Sequence, residues 1–483
     1  MVGPDFRRPA TSVPARYNEE APSARTVSSD IAGGAAQSLT PGKDLQGDWW
    51  DLFRSPALSA LVAQALRDNP NLEAARQTLR QAQELELAQE GTLFPDITGQ
   101  VLRGRQELPL SYEEPGAEPA IPSSTFTQYN AQLNLSYTFD IWGGLRRAVE
   151  QAGAQAEYQR FELEGAVLSL TAGIVTSAIE AASLRAQIAA QTQLIGFEQK
   201  QLDTVRQQFQ LGGATGTDVA TQQAQVAQAQ TVLVPLETQL VQTRDQIAAY
   251  LGRAPSEVVL PAITLDSLTL ADAVPVSLPS SLLAQRPDIR AAEANLHQQT
   301  AALGVAISQR LPQLTLSATV GSSAGDIHQL FSPTTGLWSV VNQAVQPIFD
   351  AGQLLHKQRA QKAAMLQAAA QWRGTVVAAF QNVADVLAAL QNDAVNLQYA
   401  LTAAQAGQRS LSLASMQFKL GGVSYLSVLT AQQTYQTAVI TLVRAQAARY
   451  ADTAALFQAL GGGWWNRHDL PPPPPGLLSS PLP

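Results

Sequence analysis

Of the residue types most specific to metal sites and nucleophilic catalysis, this 483-residue sequence has four histidines and no cysteine. A histidine acting as ligand or base needs a second ligand, a nucleophile or an orienting carboxylate close by. His297, His328, His356 and His468 fall on different predicted elements, and no second ligand or nucleophile stands at useful spacing from any of them. They read as surface or packing residues. The absence of cysteine excludes disulfides, thiolate metal sites and a thiol nucleophile. Catalytic, cofactor-binding and metal residues are therefore all expected to be none, and the chain is not read as an enzyme. Function has to be sought in shape, and shape here is set by a repeated turn.

The stretch QFKLGGVSYLSV from Gln417 restates QFQLGGATGTDV from Gln208, with Phe418 standing 209 residues after Phe209. Each copy reads as a helix end, a glycine turn and the start of a returning helix. Glycine takes the left-handed conformation that closes a helix, and Ser or Thr then caps the next one. Gly212 and Gly213 make the first turn, Gly421 and Gly422 the second, and Asp218 is the carboxylate just beyond the first. The repeat continues elsewhere. Pro70 and Pro95 match Pro287 and Pro312 at a spacing of 217, and Phe139-Asp140 matches Phe349-Asp350 at 210. A period of this length, seen twice, indicates a duplicated unit rather than an array of short repeats.

Only 14% of residues are charged and the formal charge is −8, with no cluster of Lys and Arg, so nucleic acid is not an expected partner. Low charge with abundant Ala and Gln suits long helices packed closely side by side. No uninterrupted apolar run reaches 18 residues, so no membrane-spanning helix is expected.

Residues 1–48 are rich in Pro, Ala, Ser and Gly without a helical or strand period and read as an extended arm. The first repeat spans 49–252: helices from Trp49 to about Gly91, a strand pair at 96–105 and 130–140, then a long helical hairpin with its tip at 211–217. Residues 253–281, carrying Pro255, Pro261, Pro275 and Pro279, read as a linker. The second repeat, 282–465, has strands at 313–321 and 337–349 and a hairpin tip at 420–424, and 466–483 is a proline-rich tail. Along the second long helix Val376, Phe380, Val383, Leu387, Leu390, Ala394, Leu397 and Leu401 step alternately by four and three, the heptad of a coiled-coil seam. Each long helix predicts a rod of about 100 Å at 1.5 Å per residue.

The strands follow a period of two. Ala131, Leu133, Leu135, Tyr137 and Phe139 alternate with Gln132, Asn134, Ser136, Thr138 and Asp140, and Leu314, Leu316, Ala318 and Val320 alternate with polar neighbours. About ten residues is the length a tilted strand needs to cross a bilayer. Leu133, Leu135, Tyr137, Leu314 and Leu316 are then expected to face lipid, and 106–128 and 322–336 to be the exterior loops. A membrane sheet must close, because an open edge in hydrocarbon leaves backbone groups unpaired. Four strands are too few for one barrel, so the barrel is expected to be shared between chains, two giving eight strands and three giving twelve.

Several motifs carry a resemblance to a known family. MVGPDFRRP at the start, DWWDLF at 48–53, LLAQRPDIRAAE at 282–293, PIFDAG at 347–352 and ALGGGW at 459–464 resemble the TolC-like outer membrane factors, most of all the lipoprotein branch of tripartite, RND-type efflux systems. The resemblance covers Val2 to about Trp465. It implies an α+β membrane protein: duplicated long hairpins forming a tunnel, and four strands per chain in a twelve-stranded barrel shared by a homotrimer. It further implies a Gram-negative outer-membrane location reaching into the periplasm, outer-membrane lipid around the barrel, and a periplasmic adaptor and an inner-membrane pump as partners. The function implied is passive export of small molecules such as drugs. In that branch the opening motif follows an acylated cysteine, so an N-terminal lipid anchor is expected on a cysteine preceding Met1, with no other cofactor. The resemblance places Leu426, next to Tyr425, at an apolar gate ring, and Thr430 where many members carry aspartate, which leaves Asp218 as the tip carboxylate. Two other readings stand beside it: a type I protein-secretion duct of the same fold, and a soluble periplasmic coiled-coil scaffold without a pore.

Overall fold

Two helices of 67 residues each, α3 (Gly144–Gln210) and α7 (Gln353–Lys419), dominate the computed structural model, which describes residues 1–10, 14–18, 23–108 and 124–467. Neither contains a proline, and both start a few residues after the repeated Phe-Asp motif. Asp140 accepts from the Leu145 and Arg146 amides at 2.9 and 3.1 Å, and Asp350 from those of Gly352 and Leu354, both at 2.8 Å. The matched carboxylates thus cap the first free N–H groups of both long helices.

The remaining elements also come in pairs. In the first half, helices α1 (Pro56–Asp68) and α2 (Pro70–Gly91) lead to strands β2 (Asp96–Leu108) and β3 (Ser124–Phe139), then to α3 and α4 (Gly216–Tyr250). In the second, α5 (Pro279–Gln285) and α6 (Pro287–Ser308) lead to β5 (Gln313–Ala324) and β6 (Gly336–Val345), then to α7 and α8 (Tyr425–Ala459). Helices α2 and α6 each have 22 residues, and α4 and α8 each have 35. Helix α3 packs along α6, α4, α2 and α8, while α7 packs along α8 and α6. On α7 the seam is Val376, Val383, Leu387, Leu390, Ala394 and Leu397, all buried. One stretch of α3 has the length and hydropathy of a membrane span, contrary to the expectation from uninterrupted apolar runs. Its residues are 67% buried inside the protein, so it is packed core.

The largest core lies where the two halves meet, below the sheet. Trp49, Phe53, Tyr450 and Phe457 pack ring against ring, and the Tyr450 hydroxyl donates to the Leu268 carbonyl at 2.9 Å. Each such buried aromatic contributes roughly 2 kcal/mol through removal of apolar surface from water. Arg449, almost wholly buried, donates to the carbonyls of Leu390 and Ala35 at 3.0 and 3.1 Å and holds the N-terminal arm against α7 and α8.

That arm corrects the expectation for residues 1–48. It contains a strand, β1 (Ser38–Pro41), paired in parallel with β4 (Ala273–Val276) of the expected linker 253–281. Arm and linker lacked strand periodicity because each contributes only four residues to a local pair. The strand bounds differ as well. Strand β2 runs on to Leu108 and β3 begins at Ser124 because the pairing continues beyond the alternating core. Strand β6 stops at Val345 rather than 349, where Pro347 has no N–H to offer a ladder. The middle of the first exterior loop and almost all of the tail 466–483, including His468, lie outside the described residues.

The four long strands form one antiparallel sheet in the order β2-β3-β5-β6. Directly paired residues share a face, so the register sorts the side chains. Leu133 pairs with Gly99 and Val320, Leu135 with Ile97 and Ala318, Tyr137 with Leu316, and Phe139 with Leu314. The opposite face carries Thr98, Gln100, Gln132, Asn134, Ser136 and Thr319, with hydrogen bonds Gln132 to Gln100 and Thr319 to Asn134, both 3.0 Å. Leu102, Leu337, Val341 and Val345 are apolar exceptions on that face. With the apolar face in lipid, a charge near the midplane costs about 2–4 kcal/mol, far more than on a wet face. Leu135→Lys should therefore cut membrane assembly yield strongly and Asn134→Lys only slightly. Equal yields, measured by heat-modifiable mobility of membrane extracts, would show the faces to be assigned wrongly.

Candidate functional site

At the far end of each hairpin the chain turns through the same motif. Gly213 N–H donates to the Gln208 carbonyl at 2.7 Å and Gly212 N–H to Phe209 at 3.1 Å; Gly422 and Gly421 repeat this onto Gln417 and Phe418 at 2.8 and 3.0 Å. These paired bonds satisfy the last helical carbonyls and require a left-handed residue. Gly212 and Gly421 occupy that position with φ of 77° and 74°.

The returning helices start differently. Thr215 and Asp218 form a reciprocal capping box: Asp218 accepts from the Thr215 amide at 2.8 Å and its hydroxyl at 2.7 Å, and returns its own amide to that hydroxyl. Those hydrogen bonds hold the Asp218 carboxyl below the usual carboxylate range. Asp218 is exposed, but its charge is committed to the cap. At α8, the cap residue Ser424 accepts from no helical N–H, and its hydroxyl meets that of Ser427 at 3.2 Å instead.

Just inside α8 the expected tip residues separate into two groups. Leu426 is 68% exposed, while Val428 takes the buried seam position. Thr430 is exposed too, and its hydroxyl donates back to the Leu426 carbonyl at 3.0 Å. Tyr425 instead turns inward, packs against Phe418 with ring centroids 5.4 Å apart, and donates its hydroxyl to Gln222 of α4. Burial pushes that hydroxyl up to about 12.

Gln222 leads to a cluster that the sequence did not reveal. It is fully buried and donates to Glu198 of α3, which also accepts from Gln432 of α8 at 2.8 Å. One buried carboxylate therefore ties α3, α4 and α8 together close to the tip. No periodicity marks it, because Glu and Gln are ordinary surface residues of long helices. Burial raises the Glu198 carboxyl above the usual glutamate range, against the hydrogen bonds that favour its charged form.

The histidines do not assemble. His297 meets Glu150 at 2.9 Å and stacks on Phe6, His328 lies in a short turn between β5 and β6, and His356 is on the first turn of α7. No group of three metal-ligating side chains occurs among the described residues.

Paired helices of about 100 Å that carry an open, two-faced sheet define a class of outer-membrane channel subunits in which helices build the duct and strands the barrel. The chain matches the family described as outer membrane efflux protein over residues 61–253 and 278–462, and it belongs to that family. It is 30% identical over 422 residues to the pyoverdine export outer membrane protein OpmQ of Pseudomonas putida, covering 86% of this chain and 88% of that protein. It is 28% identical over 466 residues to the toluene efflux pump outer membrane protein TtgC of the same species, covering 96% and 93%. The solved outer-membrane channel OprN superposes with a TM-score of 0.84 at 25% identity, covering 96% of this chain and 99% of that one. The chain is thus an outer-membrane exit duct for efflux, not an enzyme.

Two outcomes are expected from this geometry. Alanine at Gly421, which has open space around it, should cost about 1 kcal/mol through backbone strain alone. Alanine at Gly422, whose φ is not positive, should cost much less; equal shifts in unfolding midpoint would refute the assignment. A proton held by Glu198 when folded and released when unfolded makes the crossing most stable at acid pH, with stability falling as pH rises through the raised value. Hydrogen exchange of α8 amides, corrected for intrinsic rate, should show this loss in the native protein and a flat profile in Glu198→Gln. Parallel profiles would mean Glu198 does not titrate there.

Proposed function

We propose that three copies of this chain close their sheets into a twelve-stranded barrel above a helical tunnel, through which small molecules leave passively. The observation that carries this reading is the sheet itself: β2 and β6 are edge strands with free backbone groups on a sheet whose outer face suits lipid. In hydrocarbon each unpaired group costs several kcal/mol. Pairing β6 of one copy with β2 of the next continues the antiparallel order and removes every edge. Two copies would give eight strands, an interior filled by its own side chains. Three give a lumen wide enough to stay wet.

Energy and selection then belong to other components. A periplasmic adaptor and an inner-membrane pump are the partners this reading requires, since no catalytic group occurs among the described residues and a wide duct need not recognise its cargo. Relatives named for pyoverdine export and toluene efflux favour small cargo over secreted protein. The exposed Leu426 on each α8 would meet its copies at the tunnel mouth as an apolar ring that closes by dewetting. Thr430 offers no carboxylate and Asp218 is engaged in its cap, so cation binding at this mouth should be weak.

Mass measurement in detergent should give three chains per particle, and a monomer with an intact β signal would refute the assembly. In planar bilayers Leu426→Ser should raise single-channel conductance, and Thr430→Asp should increase sensitivity to divalent cations. Loss of trimer stability without a change in conductance would make Leu426 a packing residue rather than a gate.

A further inference from the structure

Charged residues are almost absent from the sheet's apolar face. Among the described residues they are Arg103, Arg105 and Glu107, all at one end of β2. The parity that places Ile97, Gly99 and Val101 on this face continues through Arg103 and Arg105, which pair with Tyr129 and Thr127 of β3. This is the end away from the helices, since β2 starts beside α2 at Asp96 and runs toward the exterior loop at Leu108. Phe139 marks the helix end of this face, and Tyr129, paired with Arg103, stands ten residues further on, about 33 Å along the strand at 3.3 Å per residue, or about 25 Å of height for a strand tilted by about 40°. Arg105 adds about 5 Å. The apolar band of such barrels is about 25 Å tall, so Arg103 stands at its outer rim and Arg105 just beyond it.

Arginine on a lipid face is tolerated at the rim and penalised at the midplane. Here both arginines sit at the rim, and their long stems let the charged heads rise further. Arg103 lies over the Tyr129 ring, 5.7 Å from its centroid, which holds the guanidinium against an aromatic face. Neither arginine is in an ion pair among the described residues. Glu107, the next residue on this face, is itself engaged. Two planar cations on adjacent same-face positions, with hydroxyls from Tyr129 and Thr127 alongside, suit bidentate recognition of phosphate oxygens.

We propose that Arg103 and Arg105, with Tyr129, form a binding site for the phosphate groups of outer-leaflet glycolipid, the lipid A class. The site rests on the outer-membrane location and needs no particular cargo. Its effect is to fix the height and tilt of β2 in the membrane. Because β2 is an edge strand, the site would lie beside the seam between neighbouring copies.

Native mass spectrometry of the detergent-purified full-length protein tests this, with bisphosphorylated lipid A and enzymatically dephosphorylated lipid A as probes. The wild type should retain the phosphorylated lipid at least tenfold better, a comparison that requires no variant to fold. Arg103→Gln/Arg105→Gln should lose that preference, and Arg103→Lys/Arg105→Lys should recover part of it. Equal retention of both lipids by the wild type would overturn the proposal, as would an unchanged preference in the glutamine variant. Displacement of the lipid by millimolar inorganic phosphate would also overturn it, because the site would then be a general anion site rather than a lipid site.

Discussion

A backbone N–H or C=O in hydrocarbon has no water to turn to, and this constraint governs the whole molecule. Inside the sheet it is met by the ladders from β2 through β3 and β5 to β6. At the two outer strands one chain cannot meet it, so the sheet is stable in a membrane only as a fraction of something larger. The helices answer to a related limit. Rods of 67 residues cannot bury their surfaces in one globule, and each shares its sides with several others. Membrane sheet and periplasmic helices thus make the same demand for copies, by different physics.

Between these two regions the chain changes from strand to helix twice, and both changes use one device. The carboxylates of Asp140 and Asp350 accept amides of the first turns of α3 and α7, so the chain enters both long helices in the same way. The arm reinforces the zone below. Arg449 gathers carbonyls from the arm and from α7, and β1 pairs with β4, so the N-terminal segment straps the two halves where they join. The rigid parts of the duct are therefore its collar and its sheet. The tips are held by glycine turns, one capping box and the Glu198 cluster, which is a smaller set of interactions.

A carboxylate buried among glutamines behaves differently from one paired with arginine. Glu198 accepts hydrogen bonds from two helices, yet has no cation to offset its desolvation, so burial raises its affinity for a proton. A hydrophobic contact in its place would be indifferent to pH. Through Gln222, which the Tyr425 hydroxyl meets, Glu198 couples the packing of α3 and α4 to the placement of the first turn of α8.

Duplication, helix length, the glycine tips and the sheet faces were legible in the sequence, because each follows from a local rule, whereas the outer-membrane class came from the resemblance to a known family. Period 2 and period 3.6 are properties of single strands and helices, and a left-handed turn selects glycine wherever it occurs. Pairs distant in the sequence were not legible. The β1–β4 pair, the Arg449 hub and the Glu198 cluster each join segments far apart in the chain through residue types that look unremarkable where they stand. Asp218 shows the same limit at short range: as a residue type it is a free tip carboxylate, and only its bonds to Thr215 show that the helix start has claimed it. Sequence determined which face of the long strands and of the α7 seam must be covered. Tertiary structure decided what covers it, because burial and hydrogen-bond partners are properties of distance in space rather than of order along the chain.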